Sequence, residues 1–270
     1  MQKIFITGAS SGIGEALAKA YAKQYISIPR ENNIPESRMV IGLAGRRLEA
    51  LQKLANLLQN TYGAICAVYP LDVRNATAMQ NAAQDFIYRF GVPDIVIANA
   101  GISRGTLTEH QEDIAAFQTV MDTNVMGIVH TFQPFISSLK LRGQGQLVGI
   151  ASVAGVRGLP GSGAYSASKS AAITYLESLR SEMQHFGIAV TTVAPGYIRT
   201  PMTDINQYPM PFLMDTDTFA NKFIHAVRAR RRFVVIPWQM GIVARLMRLI
   251  PAWLWDKLTK NAPHKSRKLN

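Results

Sequence analysis

Thr7-Gly8-Ala9-Ser10-Ser11-Gly12-Ile13-Gly14 is a glycine-rich turn set between a short apolar run and a stretch of helical period. Glycines there permit tight turning and let a pyrophosphate approach the backbone, where the N-terminus of the following helix offers N–H donors and partial positive charge. Such a turn alone is only a strand-to-helix connection, but its place in the first βαβ unit points to a dinucleotide. At the end of the second apolar run, where a carboxylate would hold an adenosine ribose, the sequence reads Leu43-Ala44-Gly45-Arg46-Arg47, with no acid. A guanidinium suits a 2′-phosphate by its charge and by its forked donors. The alternative reading, two surface arginines opening a helix, must accept cations at the positive end of a helix dipole.

Asn99-Ala100-Gly101, Asn124, Ser152 and Tyr165-Ser-Ala-Ser-Lys169 follow in that order. Tyr165 and Lys169 are four apart, so on a helix they share a face, one turn from each other. Taken singly, Tyr165 reads as an amphipathic surface residue, Lys169 as a solvated charge and Ser152 as a turn former. Their joint order and strand-end placement do not reduce to those roles.

The elements that must position them alternate along the chain. KIFIT (3–7), MVIGLA (39–44), ICAVYPL (65–71), DIVIANA (94–100), QLVGIAS (146–152), IAVTTVAP (188–195) and RFVVIP (232–237) read as strands. Between them lie helical stretches at 13–24, 47–60, 77–90, 112–141, 165–185 and 216–230. Leu48, Leu51, Leu54, Leu57 and Leu58 line one face of the second stretch. This regular alternation predicts an α/β fold, a single-domain doubly wound parallel sheet of about seven strands. The segment 27–38, with two prolines and two asparagines, is expected to be an exposed loop.

TGASSGIG (7–14), LDV (71–73), NAG (99–101), NVMG (124–127), Ser152, YSASK (165–169) and PGYIRT (195–200), in this order and spacing, resemble the short-chain dehydrogenase/reductase family over about residues 3–236. The resemblance implies a Rossmann-type domain binding NAD(P) and a catalytic set of Asn124, Ser152, Tyr165 and Lys169. It further implies cofactor contacts from Gly8, Ser10, Ser11, Gly12, Ile13, Gly14, Arg46, Arg47, Asp72, Val73, Asn99, Ala100, Gly101, Tyr165, Lys169, Pro195, Gly196, Ile198 and Thr200. Asp72 and Val73 would flank the adenine, and Asn99 would steady the central strand. Ile198 and Thr200 would meet the nicotinamide end. With Arg46 and Arg47 where an acid would stand, NADP(H) is expected to be preferred over NAD(H). As hydride reaches a carbonyl carbon, negative charge develops on oxygen, so a donor and an acid must wait there. Ser152 is the expected donor and Tyr165 the expected acid. Lys169 would lower the phenol's pKa from near 10 and hold the ribose hydroxyls, while Asn124 would order a water joining Lys169 to solvent. A protein that only senses a dinucleotide, or a membrane-recruited scaffold on the same fold, is the competing class; it would tolerate loss of Tyr165 or Lys169. No metal is called for.

Charge divides the chain at about residue 222. Residues 222–270 hold 12 Lys/Arg against Asp256 alone, which is +11 of the formal net charge of +12. Trp238, Trp253 and Trp255, all the tryptophans of the chain, lie there too. We therefore divide the chain into a catalytic domain (1–236) and a basic extension (237–270). Apolar and basic residues mixed in this way fit either a helix in an anionic lipid interface, through 238–260, or a cap or dimer contact on the protein's own body. Nucleic acid is not expected as a partner, because no reading motif accompanies the charge. The segment between Tyr197 and Met214, with Met202, Met210, Phe212 and Leu213, reads either as a lining for a hydrophobic substrate or as a loop packed on the body. The family resemblance implies a homo-dimer or tetramer through the helices carrying Asn124 and Tyr165. A single cysteine, Cys66, and the absence of a secretory pattern at the start predict a cytoplasmic protein, at most at the inner face of a membrane.

Overall fold

The seven apolar runs become strands β1 (Lys3–Thr7), β2 (Val40–Gly45), β3 (Ile65–Pro70), β4 (Ile95–Ala98), β5 (Gly145–Ile150), β6 (Ile188–Pro195) and β7 (Phe233–Ile236) of one parallel sheet. The structure is a computed structural model, and it describes residues 1–26, 39–206 and 208–260. The expected loop at 27–38 and the last ten residues of the basic extension lie outside the described residues.

Parallel strands need crossovers, and helices supply them: α1 (Gly12–Ile26), α2 (Leu48–Tyr62), α3 (Ala76–Phe90), α4 (Asp113–Met121), α5 (Gly127–Arg142), α6 (Gly163–Gln184), α7 (Pro201–Asp204) and α8 (Thr216–Arg228). Alternate strand residues face opposite ways, so each strand feeds two cores. Ile4, Ile6, Ile41 and Leu43 pack with Leu17, Leu51, Phe219 and Phe223 of α1, α2 and α8. Phe5 points to the other side, with its ring 5.0 Å from Phe135 and 5.5 Å from Phe86, among residues of α3, α5 and α6. Both faces are therefore covered, as an all-parallel sheet requires.

The strand order is β3-β2-β1-β4-β5-β6-β7. From β1 the chain winds outward to β3, then returns to place β4 on the free edge of β1. Helices diverge at that reversal, leaving a crevice beyond the carboxyl ends of β1 and β4. The glycine-rich turn and Asn99 flank it.

The stretch at 112–141 is helical throughout, as expected, but not uniformly α. Between α4 and α5, residues Asp122–Met126 form a π-helical turn. The wider turn lets Asn124 point fully inward, where its side chain is bound as described below. Beyond β7, the extension forms α9 (Trp238–Leu249) and α10 (Ala252–Thr259), broken at Pro251. No helix among the described residues is long and apolar enough to cross a membrane.

Candidate active site

Gly8 and Gly12 adopt φ of +68° and +58°, a left-handed conformation that only glycine takes without strain. A Cβ on Gly14 would stand 2.2 Å from the Gly8 carbonyl oxygen, so the first turn of α1 can fold against the loop only without a side chain there. Asn99 fixes the loop from the other side. Its Nδ2 donates to the carbonyls of Thr7 (3.0 Å) and Gly8 (3.1 Å), while its own backbone N–H donates to Thr7 Oγ1 at 3.2 Å. The turn is thus tied to both β1 and β4, with the α1 N-terminus open toward the crevice.

A cleft of about 290 Å³ occupies that crevice. It is lined by Gly8, Ser10, Ser11, Gly12 and Ile13 from the turn, Arg46 and Arg47 after β2, Asp72 and Val73 after β3, and Asn99, Ala100 and Gly101 after β4. Ser152, Tyr165 and Lys169 line it from β5 and α6, and Pro195, Gly196, Ile198 and Thr200 from beyond β6. Two of the expected site residues, Gly14 and Asn124, do not line it. Gly14 is consumed in packing on Gly8, and Asn124 is fully buried.

The two arginines part company. The Arg47 guanidinium folds back on the glycine-rich turn, donating to the Ser10 carbonyl at 3.0 Å and to Ser10 Oγ at 3.3 Å. Arg46 is exposed at the cleft rim, close enough to Asp72 to help lower its carboxyl pKa. The larger influence on that carboxylate is Arg74, whose Nη2 lies 2.7 Å from it.

On the opposite wall, Ser152 sits two residues past the end of β5. Its Oγ accepts the Ala154 N–H at 3.2 Å, capping a short 3₁₀ turn over Val153–Gly155. Tyr165 and Lys169 project from the first turns of α6. Lys169 is 4% exposed, its Nζ donates to the Ile150 carbonyl at 2.9 Å, and it lies 5.8 Å from the centre of the Tyr165 ring. Burial brings its ammonium down to about 8. Burial also raises the Tyr165 phenol, with the Ser152 side chain acting against that rise. The expectation of a lowered phenol is therefore not met in the protein alone: desolvation outweighs the influence of its polar neighbours.

The Asn124 side chain is bound through both of its polar atoms. Its Oδ1 accepts the Ile102 N–H at 2.8 Å, and its Nδ2 donates to the Ile102 carbonyl (2.9 Å) and to Ser168 Oγ (3.0 Å). Both amide donors are spent, so the side chain positions the segment following Gly101 and the face of α6. Gly101 gives it room, since a Cβ there would lie 3.2 Å from Oδ1.

Sequence reasoning overlooked three residues that build this site. Thr7 Oγ1 takes the Asn99 N–H, Ser168 receives Asn124, and Thr203 Oγ1 donates to the Ile198 carbonyl at 2.7 Å while accepting the Thr200 N–H at 2.9 Å. Thr200-Pro201, a cap residue before a proline at the first helical position, was the available signal for the start of α7. Ser168 carried the signal of lying three residues after Tyr165. Among the described residues no group of three or more His, Cys, Asp or Glu is placed to hold a metal ion.

The glycine cradle, the open helix N-terminus and the rim arginine fit a nicotinamide dinucleotide. Known proteins agree with that fit. The chain is 34% identical over 251 residues to an uncharacterized oxidoreductase of Myxococcus xanthus (strain DK1622), covering 93% of each. An alcohol dehydrogenase from the archaeon Thermococcus sibiricus, solved with 5-hydroxy-NADP, is 25% identical and superposes with a TM-score of 0.74 over 87% of this chain and 96% of its own. A short chain dehydrogenase/reductase from Burkholderia phymatum, solved with NAD, shares the fold at 22% identity and a TM-score of 0.78, over 99% of this chain and 98% of its own. The family model for short chain dehydrogenases matches residues 2–208. With that match laid over this cleft, the chain belongs to the short-chain dehydrogenase family of oxidoreductases.

Proposed function

We propose that this chain is an NADP(H)-preferring oxidoreductase that moves hydride between the nicotinamide and a carbonyl or secondary alcohol of a hydrophobic substrate. One observation carries the proposal: Ser152, Tyr165 and Lys169 line one wall of a cleft whose far end is the glycine-rich turn with Arg46 at its rim. The nicotinamide cofactor, when bound, supplies or takes the hydride. Gly8, Ser10, Ser11, Gly12 and Ile13 would hold its pyrophosphate and Arg46 a 2′-phosphate, while Arg47 braces Ser10 of the turn. Ser152 Oγ donates to the substrate oxygen and fixes its place beside the Tyr165 hydroxyl. Tyr165 gives its proton to that oxygen during reduction and takes it back during oxidation. A phenol whose pKa is held high by burial is a weak acid, so the nearby Lys169 ammonium must stabilise the phenolate left when the proton is given up. Asn124 acts as a positioning residue, holding Ile102 and Ser168.

Ile102, Ile150, Ile198 and Met202 along the cleft support a hydrophobic substrate. The Tyr197–Tyr208 ring pair, with centres 6.3 Å apart and Tyr208 near enough to Tyr165 for their charges to interact, extends that lining. The exposed Ile114, Phe117 and Met126 of α4 and the π turn support a homo-oligomer through that face. Exposed apolar residues along 238–260 support a peripheral membrane association. The deciding experiment is a screen of carbonyls and alcohols of increasing chain length with NADPH and NADH, followed by nicotinamide absorbance. Turnover that rises with chain length and favours NADPH is expected; absence of turnover with every pair would overturn the reading.

A further inference from the structure

α9 is apolar on two opposite faces. One face is spoken for: Met240 and Ala244 are buried, and Met240 packs so closely on Gly196 that a Cβ there would lie 2.7 Å from its Cγ. The other carries Trp238, Ile242, Leu246 and Leu249 at helical spacing, exposed by 64, 47, 59 and 78%. α10 continues the outward surface with Trp253 (71%) and Leu258 (62%). This is not a frayed tail. Arg157 donates to the Ile250 carbonyl at 2.6 Å and to the Met247 carbonyl, and its guanidinium lies 4.5 Å from the Trp255 ring centre. Arg248 in turn donates to the Val156 carbonyl at 2.9 Å. The helices are clamped to the loop after Ser152 with their apolar stripe turned outward, uncovered by any described part of the chain.

We propose that the α9–α10 stripe docks on an anionic phospholipid bilayer, with Trp238, Leu246, Leu249 and Trp253 entering the interface and Arg245, Lys257 and Lys260 meeting the headgroups. This rests on the peripheral association proposed above and adds its residues and lipid chemistry. Charge selects the occupant. Within 238–260, Arg245, Arg248, Lys257 and Lys260 stand against Asp256 alone, a net +3, so a second copy of this face would bring like charges together, whereas an anionic surface attracts them. Tryptophans near the ends of an apolar stripe suit the boundary between headgroups and chains. The helices of 12 and 8 residues are too short to span a bilayer and so lie along it. Since the inner face of α9 packs on Gly196, a residue of the cleft, the bilayer would sit about one helix diameter, roughly 10 Å, from the cleft wall.

The test uses the full chain with vesicles of phosphatidylcholine, with and without phosphatidylglycerol, some carrying brominated acyl chains. Co-sedimentation with phosphatidylglycerol vesicles, quenching of tryptophan emission by the brominated chains and loss of binding at high salt are expected. Leu246→Glu/Leu249→Glu should weaken that binding at least tenfold while leaving the turnover of a short dispersed carbonyl unchanged, which separates this proposal from the catalytic one. Equal binding by the variant, or binding without bromine quenching, would overturn it in favour of simple attraction to a polyanion. A wild type that ignores vesicles but loses its oligomeric state on the same substitutions would overturn it in favour of a second copy.

Discussion

Replacing Lys169 by methionine keeps the aliphatic stem and removes the charge, so it measures what the buried ammonium costs the fold. Desolvation brings the Lys169 pKa from 10.5 down to about 8. In the unfolded chain the ordinary value returns, so between those two values the unfolded state holds a proton that the folded state lacks. Stability therefore rises with pH through that window, and below it the fold carries the whole cost. At ~1.4 kcal/mol for each pH unit separating the two values, that cost is about 3 kcal/mol near pH 7, and roughly 2 kcal/mol of it is relieved by about pH 9.5. Losing the hydrogen bond to the Ile150 carbonyl takes back about 1 kcal/mol at either pH. Cys66, with its thiol pushed up to about 12, and the raised Tyr165 act oppositely, because their ionisation in the unfolded chain lowers stability at high pH. Those contributions are common to wild type and variant and cancel in the difference. Urea unfolding without cofactor, followed by circular dichroism, should thus find Lys169→Met more stable by about 2 kcal/mol near pH 7, with that advantage nearly gone at pH 9.5. The variant should also have lost its turnover. A difference that does not change with pH would refute the reasoning, since it would mean that the ammonium is not desolvated.

Three further outcomes are expected. Tyr165→Phe should retain cofactor binding, read by quenching of protein fluorescence, yet lose most turnover, because only the proton-donating hydroxyl is removed; a near wild-type rate would remove Tyr165 from the mechanism. Arg46→Ala should shrink the preference for NADPH over NADH by about 1.5 to 3 kcal/mol, the range for hydrogen bonds to charged groups. Arg47→Ala should weaken both cofactors alike, because Arg47 braces Ser10, and titration of both cofactors distinguishes the two effects. Gly196→Ala should cost about 1 to 3 kcal/mol by forcing Met240 and α9 away, with thermal unfolding as the readout; unchanged stability would show that α9 yields freely.

Strand and helix positions were legible because the information is local. Runs such as KIFIT and ICAVYP carry their burial in their own composition, and most observed boundaries fall within two or three residues of the expected ones. The glycine-rich turn and the four-residue spacing of Tyr165 and Lys169 were legible for the same reason: a turn needing positive φ and one helical repeat are each written in a few consecutive positions. The charge of the extension needed only counting.

What the tertiary structure decided depends on partners far away in sequence. Asn124 was legible as a residue of a helical stretch, but bonds to Ile102 and Ser168, 22 and 44 residues distant, accompany the π turn that aims it inward. Arg46 and Arg47 are neighbours of identical type, and only the approach of Ser10, 37 residues earlier, draws one onto the turn while the other stays at the rim. The Tyr165 phenol cannot reveal its pKa through its spacing from Lys169, because desolvation is a property of everything packed around it. Likewise the pattern of the extension is apolar on two faces, and sequence cannot say which is buried. Gly196 and Arg157, 44 and 93 residues from the Met240 and Ile250 they meet, make that choice. Local backbone preference fixes elements within a few residues, whereas side-chain orientation, desolvation and exposure belong to contacts that exist only once the chain has folded.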